Sequence, residues 1–405
     1  MNIICLAIDR LNLGHLGAYG NAWINTPAID RMASEGAVFD QALIDSPRLE
    51  SLYRSYWHGW HALRSERPPD DRLSLAALLR NAGITTGLLT DERLVGQHPL
   101  AVDFDDLIEI DPPWQPQVAD EIEQTHLAKC FAQMIGWLDA ADEPFFLWCH
   151  LAGLGTSWDA PLDFRRAYWE EGDPDPLDAA DVPDRRLPAD PDPDEVLSVA
   201  QAYAGQITLF DTCLGALLEY LRVSSVGQET LLVLTSPRGF PLGEHGRVGP
   251  CDEALYGELV HVPLLLRFPD GQGASVRTSA LVEPADLWAT CLDWLGIIDV
   301  PAAPTAASLL PLIRGDTDAV RDRLCLLGSA TQRAIRTPAW YLRIDDAPEL
   351  FAKPDDRREV NDVAIRCPEV VECLLASAAE YEQTVQHGQI ADLPPLSDVL
   401  LHGME

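Results

Sequence analysis

No window of this 405-residue sequence approaches the roughly 20 consecutive apolar residues that a bilayer-spanning helix requires, so none is expected. Basic residues are scarce: 29 Lys and Arg stand against 64 Asp and Glu, a net charge of −35. A surface of that sign repels nucleic acid, anionic membranes and sulfated polymers, which are not expected as partners. Any anion that binds is expected to be small and held in a local basic pocket. Zinc-type cysteine spacing is missing as well. The nine cysteines (5, 130, 149, 213, 251, 291, 325, 367 and 373) are scattered and odd in number, with no CxxC pair and no Cys/His cluster at zinc spacing. They read as reduced core thiols rather than a disulfide framework. The opening Met-Asn-Ile-Ile-Cys-Leu-Ala-Ile-Asp runs straight into a strand, without a charged n-region, apolar h-region and cleavage site. A cytoplasmic protein is expected.

What is present is a sizeable apolar fraction, 47%, enough for one large α/β domain and a smaller one. Apolar strand-like runs alternate with helix-like segments, the pattern of a mixed, mainly parallel sheet with helices on both faces. Strands are expected at Ile3–Ile8, Thr85–Thr90, Phe145–Leu151, Leu231–Thr235 and Val262–Phe268. Helices are expected at Thr26–Glu35, with Thr26 as N-cap and Pro27 in the first turn, and at Leu73–Asn81, Ala119–Ala140 and Glu195–Leu221. Residues 163–195 are rich in Pro and Asp and read as an exposed loop. After the Ala/Pro-rich stretch Ala302–Pro311, short strands (Ala334–Arg336, Trp340–Ile344) and a helix over Pro368–Gln383 predict a small α+β C-terminal subdomain. The expected division is 1–300 and 301–405.

Several local motifs then fall in a telling order. Leu16-Gly17-Ala18-Tyr19-Gly20 is followed by Asn25-Thr26-Pro27-Ala28-Ile29-Asp30-Arg31-Met32-Ala33-Ser34-Glu35-Gly36, then Leu75–Leu79 leading to Gly83-Ile84-Thr85-Thr86. Pro144-Phe145-Phe146-Leu147-Trp148 comes next, then Tyr203–Asp211, Ser236–Gly246, Val262-Pro263-Leu264-Leu265, and Glu349-Leu350-Phe351 through Asn361-Asp362. Each is weak alone; their shared order and spacing resembles the sulfatase branch of the alkaline phosphatase superfamily over nearly the whole chain.

That resemblance implies a divalent metal, usually Ca²⁺, held by a "DD" pair after the first strand and by "SDH" or "SDN" after the late one. Here the first pair is Asp9-Arg10 and the late motif is Ser236-Pro237-Arg238-Gly239. A guanidinium cannot coordinate Ca²⁺ and repels it, so no metal is expected at the vestigial positions Asp9, Arg10, Pro237 and Arg238. The family nucleophile, Cys or Ser, is matched by Leu49, and an accompanying arginine by Tyr53. The lysine expected near Asp91-Glu92-Arg93 is missing, as is a histidine expected within Gly153–Ser157, around Gly155, and a second lysine expected near Pro250–Asp252. His245 is the family residue retained. Electrostatic, covalent and proton-transfer contributions are thus all expected to be lost.

Two readings of the vestigial site stay open. Either Arg10 and Arg238 close on Asp9 as an ion-pair plug, or they leave a guanidinium face open as an anion pocket with Arg48 and His245. The favoured function is a catalytically inactive sulfatase-like protein acting by binding or partnership, with a small anion, an active homologue or a second copy as candidate partner, and no cofactor. The alternative is an active hydrolase of sulfate or phosphate esters through a rearranged site, which alone calls for Ca²⁺. A structural, oligomer-forming subunit is a third class. Lesser candidates take plainer readings: Ser46 and Ser51 as capping or packing serines, and His58 and His61 as one helix face shared with Trp57 and Trp60. His150 and Cys149 read as core, the 11 tryptophans as buried fill, and Gly239–Gly249 as a loop without a nucleotide-binding frame.

Overall fold

A computed structural model describes residues 1–65, 73–251, 254–298, 300, 303, 305–329, 331–387 and 390–404. The chain forms two compact units. Met1–Val38, Gly83–Cys251 and Val262–Arg277 make the first; Phe39–Ala82, Asp252–His261 and Thr278–Glu405 make the second. Residues 301–405 thus share their unit with three earlier stretches of the chain. Among the described residues no helix is long and apolar enough to cross a membrane.

The large sheet has eight strands: β1 (Asn2–Ile8), β2 (Ala37–Ala42), β3 (Thr85–Thr90), β4 (Asp106–Glu109), β5 (Phe145–Leu151), β6 (Thr230–Thr235), β7 (Leu264–Arg267) and β8 (Val276–Val282). Their order is β8-β2-β7-β6-β1-β5-β3-β4. The run from β6 to β4 is parallel, whereas β7 is antiparallel to β6 and β2 to β7. β1 is apolar from Ile3 to Ile8 and buried at every residue, because a parallel central strand is covered on both sides and has no solvated face to alternate with. It lies between β5 and β6 in a register that pairs Ile4 with both Leu147 and Leu232.

Helices α1 (Pro27–Glu35), α2 (Leu49–His58), α3 (Leu75–Asn81), α4 (His126–Leu138), α5 (Pro193–Val223), α6 (Pro284–Trp294) and α7 (Pro368–His387) complete the main elements. The helix expected over 119–140 is shorter at its start, since Thr125 caps it by accepting from the Ala128 N–H at 3.3 Å. Thr26 does not cap α1 through its side chain: its hydroxyl accepts from Gly17 N. The first-turn N–H groups of Ala28 and Ile29 are met instead by the carboxylate of Asp211 on α5, at 3.0 and 2.8 Å. Burial raises the Asp211 carboxyl to about 6 against the lowering effect of those two bonds. The Pro/Asp-rich stretch is organised by Arg165, which is fully buried and donates to the carbonyls of Trp158, Leu177 and Ala179.

In the second unit β9 (Leu324–Leu327), β10 (Arg333–Arg336), β11 (Trp340–Ile344) and β12 (Glu349–Ala352) form an antiparallel meander. Ile335, Leu342 and Leu350 pack with Val370, Leu374, Tyr381 and Val385 of α7. His58 and His61 do not share a helix face: α2 stops at His58, and Gly59 takes the left-handed conformation (φ 59°) that ends it. All the cysteines except Cys251 and Cys373 are buried. The tryptophans divide, with Trp57, Trp148 and Trp158 as core fill and Trp114 95% exposed.

Candidate functional site

β1 and β6 are parallel neighbours, with Ala7 opposite Thr235, so the segments leaving their carboxyl ends emerge side by side. Asp9 follows β1 and is fixed by its own N–H donating to Leu151 O at 2.8 Å. Ser236 follows β6; its hydroxyl accepts from Leu11 N at 3.2 Å and donates to Arg238 O at 2.6 Å. The two segments are further tied by Asn12 Nδ2 donating to Phe240 O at 2.7 Å.

This framework aims the Arg238 guanidinium at Asp9. Its Nε donates to Oδ1 at 3.1 Å and its Nη2 to Oδ2 at 2.5 Å, a two-pronged contact that uses both carboxylate oxygens. The Arg10 Nε stands 3.9 Å from Oδ2. Burial alone would raise the Asp9 carboxyl, but the Arg238 and Arg10 charges together outweigh it and hold the group well below the usual carboxylate range. All three residues are buried, with 2%, 3% and 7% of their surface exposed for Asp9, Arg10 and Arg238. His150, on β5 opposite Ala7, is also buried; desolvation lowers its imidazole below the usual value and outweighs the pull of Asp9.

Arg10 adopts φ 66°, uncommon for a side-chain-bearing residue, and its backbone is held there from both sides. Tyr203 Oη donates to Arg10 O at 2.6 Å and accepts from Asn12 N at 2.9 Å, while Arg10 N donates to Asp9 Oδ1 at 3.1 Å. Its side chain lies against Gly155, where a Cβ would stand 2.7 Å from Arg10 Cγ, closer than unbonded carbons pack. Arg10 thus fills the space in which a side chain at position 155 would begin. Gly155→Ala is expected to destabilise the protein by about 1–3 kcal/mol through overpacking, read by urea denaturation. In the background Arg10→Ala that penalty should largely vanish.

The other expected site residues are distributed differently. His245 is exposed, on a turn at φ 49°, unlike the three buried residues. Leu49, the nucleophile position, is a buried first residue of α2 in the second unit; Arg48 before it is exposed and Tyr53 is buried on the same helix. Ser46 is buried and accepts from Arg48 N at 3.3 Å. Pro237 is buried beside Ser236, and Pro250–Asp252 runs to Asp252, which lies outside the described residues.

One cluster was not anticipated. Asp91, His126 and Cys130 converge in the first unit with a carboxylate oxygen, a ring nitrogen and a sulfur all within 4.8 Å of one another. The i, i+4 spacing of His126 and Cys130 was the available signal; without Asp91, 35 residues away from His126, it indicates only two neighbours on a helix.

Comparison with known proteins agrees with this architecture. The chain is 33% identical to an N-acetylglucosamine-6-O-sulfatase of Bacteroides thetaiotaomicron over 114 residues, covering 28% of this chain and 20% of that protein. It is 28% identical to arylsulfatase K of Gallus gallus over 198 residues, covering 44% and 36% respectively. The chain thus spans well under two thirds of the length of either. Among solved structures, the phosphonate monoester hydrolase of Agrobacterium radiobacter superposes with a TM-score of 0.77 at 17% identity, covering 95% of each chain, a likeness of fold. The family model described as Sulfatase matches residues 1–297, and with the motif order, the mixed sheet and the paired strand ends that carry Asp9 and Ser236, it places this chain in the sulfatase family.

Proposed function

We propose that this chain is a catalytically inactive sulfatase-like protein that works by binding or partnership. The observation that carries the reading is the two-pronged contact of buried Arg238 with Asp9. Asp9 is the one metal ligand of the family pattern that the sequence retains, and both its oxygens already face a cation that cannot be exchanged for Ca²⁺ without refolding the segment around it. The depth of the cluster supports the plug over the open anion pocket: a guanidinium committed to Asp9 and only 7% exposed has little surface left for a sulfate.

The alternative, an active ester hydrolase, draws on the relatives, among them a sulfatase of Bacteroides thetaiotaomicron and a phosphonate monoester hydrolase of Agrobacterium radiobacter. One experiment separates them. Thermal melts are recorded with Ca²⁺, Mg²⁺, sulfate or phosphate, alongside hydrolysis of an aryl sulfate and an aryl phosphonate monoester with and without chelator. A ligand at a hundred times its Kd stabilises the native state by about 2.7 kcal/mol, an easily read shift. We expect none from Ca²⁺ or Mg²⁺, and no turnover. Chelator-sensitive turnover with a Ca²⁺-dependent melt would establish the hydrolase instead. Stabilisation by sulfate alone, abolished by Arg238→Ala, would open the plug into an anion site.

A further inference from the structure

We propose that Asp91, His126 and Cys130 bind a zinc ion, at a site separate from the Asp9–Arg238 cluster and independent of whether the chain is a hydrolase.

The donors come from two elements of the first unit, the end of β3 and the first turns of α4. Asp91 immediately follows β3, and its Oδ1 is occupied by the Ala152 N–H at 2.6 Å, which turns Oδ2 toward His126 Nε2 at 2.9 Å. His126 opens α4, and its backbone is pinned by its N–H donating to Asp159 Oδ2 at 2.6 Å. Cys130 stands one turn further along the same helix, its Sγ 3.6 Å from His126 Nε2. All three residues are buried.

These separations match a small tetrahedral ion. Zinc bonds of about 2.0–2.2 Å to nitrogen and oxygen and about 2.3 Å to sulfur put neighbouring ligand atoms about 3.3–3.6 Å apart. The nitrogen–sulfur distance already fits, and the carboxylate oxygen needs to retreat by a few tenths of an ångström. The donor set selects the metal: one thiolate, one imidazole and one carboxylate suit zinc, whereas Ca²⁺ and Mg²⁺ require a shell of oxygens. The Asp91 Oδ1–Ala152 bond is the kind of outer contact that orients a ligating group before the metal arrives. Three protein ligands leave a fourth position for water.

Loading is an exchange of cations. The Cys130 S–H bond breaks, its proton passes to solvent, and a sulfur–zinc bond forms; the Nε2–H bond to Asp91 also breaks, the ring taking its neutral tautomer with the proton on Nδ1, which frees the Nε2 lone pair for the metal. Without the ion, His126 Nε2 and Asp91 Oδ2 keep their 2.9 Å hydrogen bond beside the Cys130 thiol.

The test uses the full-length protein stripped with chelator and reloaded with Zn²⁺ or Co²⁺. Elemental analysis should return one zinc per chain. The Co²⁺ form should show sulfur-to-cobalt charge-transfer absorption and the intense visible bands of a tetrahedral ion. Cys130→Ser should abolish the charge-transfer band and weaken zinc binding by about 100-fold or more, and His126→Gln should weaken it comparably. Cys373→Ser, which removes an exposed thiol elsewhere, should change neither. No stoichiometric zinc, or equal binding by Cys130→Ser, overturns the proposal. If a variant fails to fold, the cobalt spectrum of the unmutated protein decides: octahedral bands without a thiolate transition overturn it. Ca²⁺ melts and hydrolysis assays report on the proposed function without touching this result.

Discussion

Asp9→Ala is expected to cost the fold about 3–5 kcal/mol, because it leaves the buried guanidiniums of Arg238 and Arg10 without their carboxylate. The size follows from asymmetry. A buried ion pair returns little net stability beyond an apolar replacement, since its attraction roughly offsets the desolvation of both charges. Removing one partner leaves the other's desolvation uncompensated. The same argument predicts a rescue: Asp9→Leu combined with Arg238→Met should recover most of the loss, as the charge and its counter-charge leave together. Denaturant titration of the single and double variants checks both. The pH dependence has a definite sign. The Asp9 carboxyl is lowered in the folded state, so its contribution is present above the ordinary aspartate range and fades as pH falls through the lowered value. The deficit of Asp9→Ala should therefore be full at neutral pH and shrink only in strong acid. If Asp9→Ala melts with the unmutated protein, the plug contributes nothing and the site is open to solvent.

Arg321→Ala should be as damaging in the second unit, again by about 3–5 kcal/mol. Arg321 Nη1 donates to Asp286 Oδ2 at 2.6 Å and Nη2 to Asp286 Oδ1 at 2.5 Å, with further bonds to the carbonyls of Leu281 and Thr305. Glu283 Oε1 lies 3.9 Å from the same guanidinium. Glu283 and Asp286 form the capping box that starts α6, so the arginine neutralises two carboxyls that the helix itself requires. Both are buried, and burial drives Glu283 up to about 7 even with Arg321 beside it. A carboxyl raised in the folded state stabilises most below its unfolded value and loses that contribution as pH rises through the folded one. Without Arg321 the burden of holding charge there grows, and the defect should be markedly smaller at pH near 5 than near 8. A pH-independent loss would mean that Arg321 acts through packing alone.

How much of this was legible beforehand depended on whether the signal was local. β1, β5 and β6 were readable because a strand buried on both sides is mostly apolar along its length, which leaves a near-continuous run in the sequence. Helix ends were less so. Thr26 has the right residue type and place for an N-cap, yet the N–H groups of α1 are satisfied by Asp211, 183 residues from Ala28, and no local rule points to it. His58 and His61 looked like one helix face until Gly59 ended the helix between them.

The site divides in the same way. From residue types alone the sequence carried the family resemblance and the departures expected within it: Arg10 and Arg238 where metal ligands are expected, and Leu49 where a nucleophile is expected. Those are statements about which atoms exist, and a guanidinium lacks a ligand lone pair wherever it is put. Only the tertiary structure decided what the new residues do. Asp9 and Arg238 lie 229 positions apart and meet because parallel β1 and β6 deliver them to the same edge. Gly155 proved to be the room that Arg10 occupies, and Asp91, His126 and Cys130 became a three-donor cluster. Coordination and ion pairing act over a few ångströms and are indifferent to sequence separation, so their partners emerge only once the chain is folded.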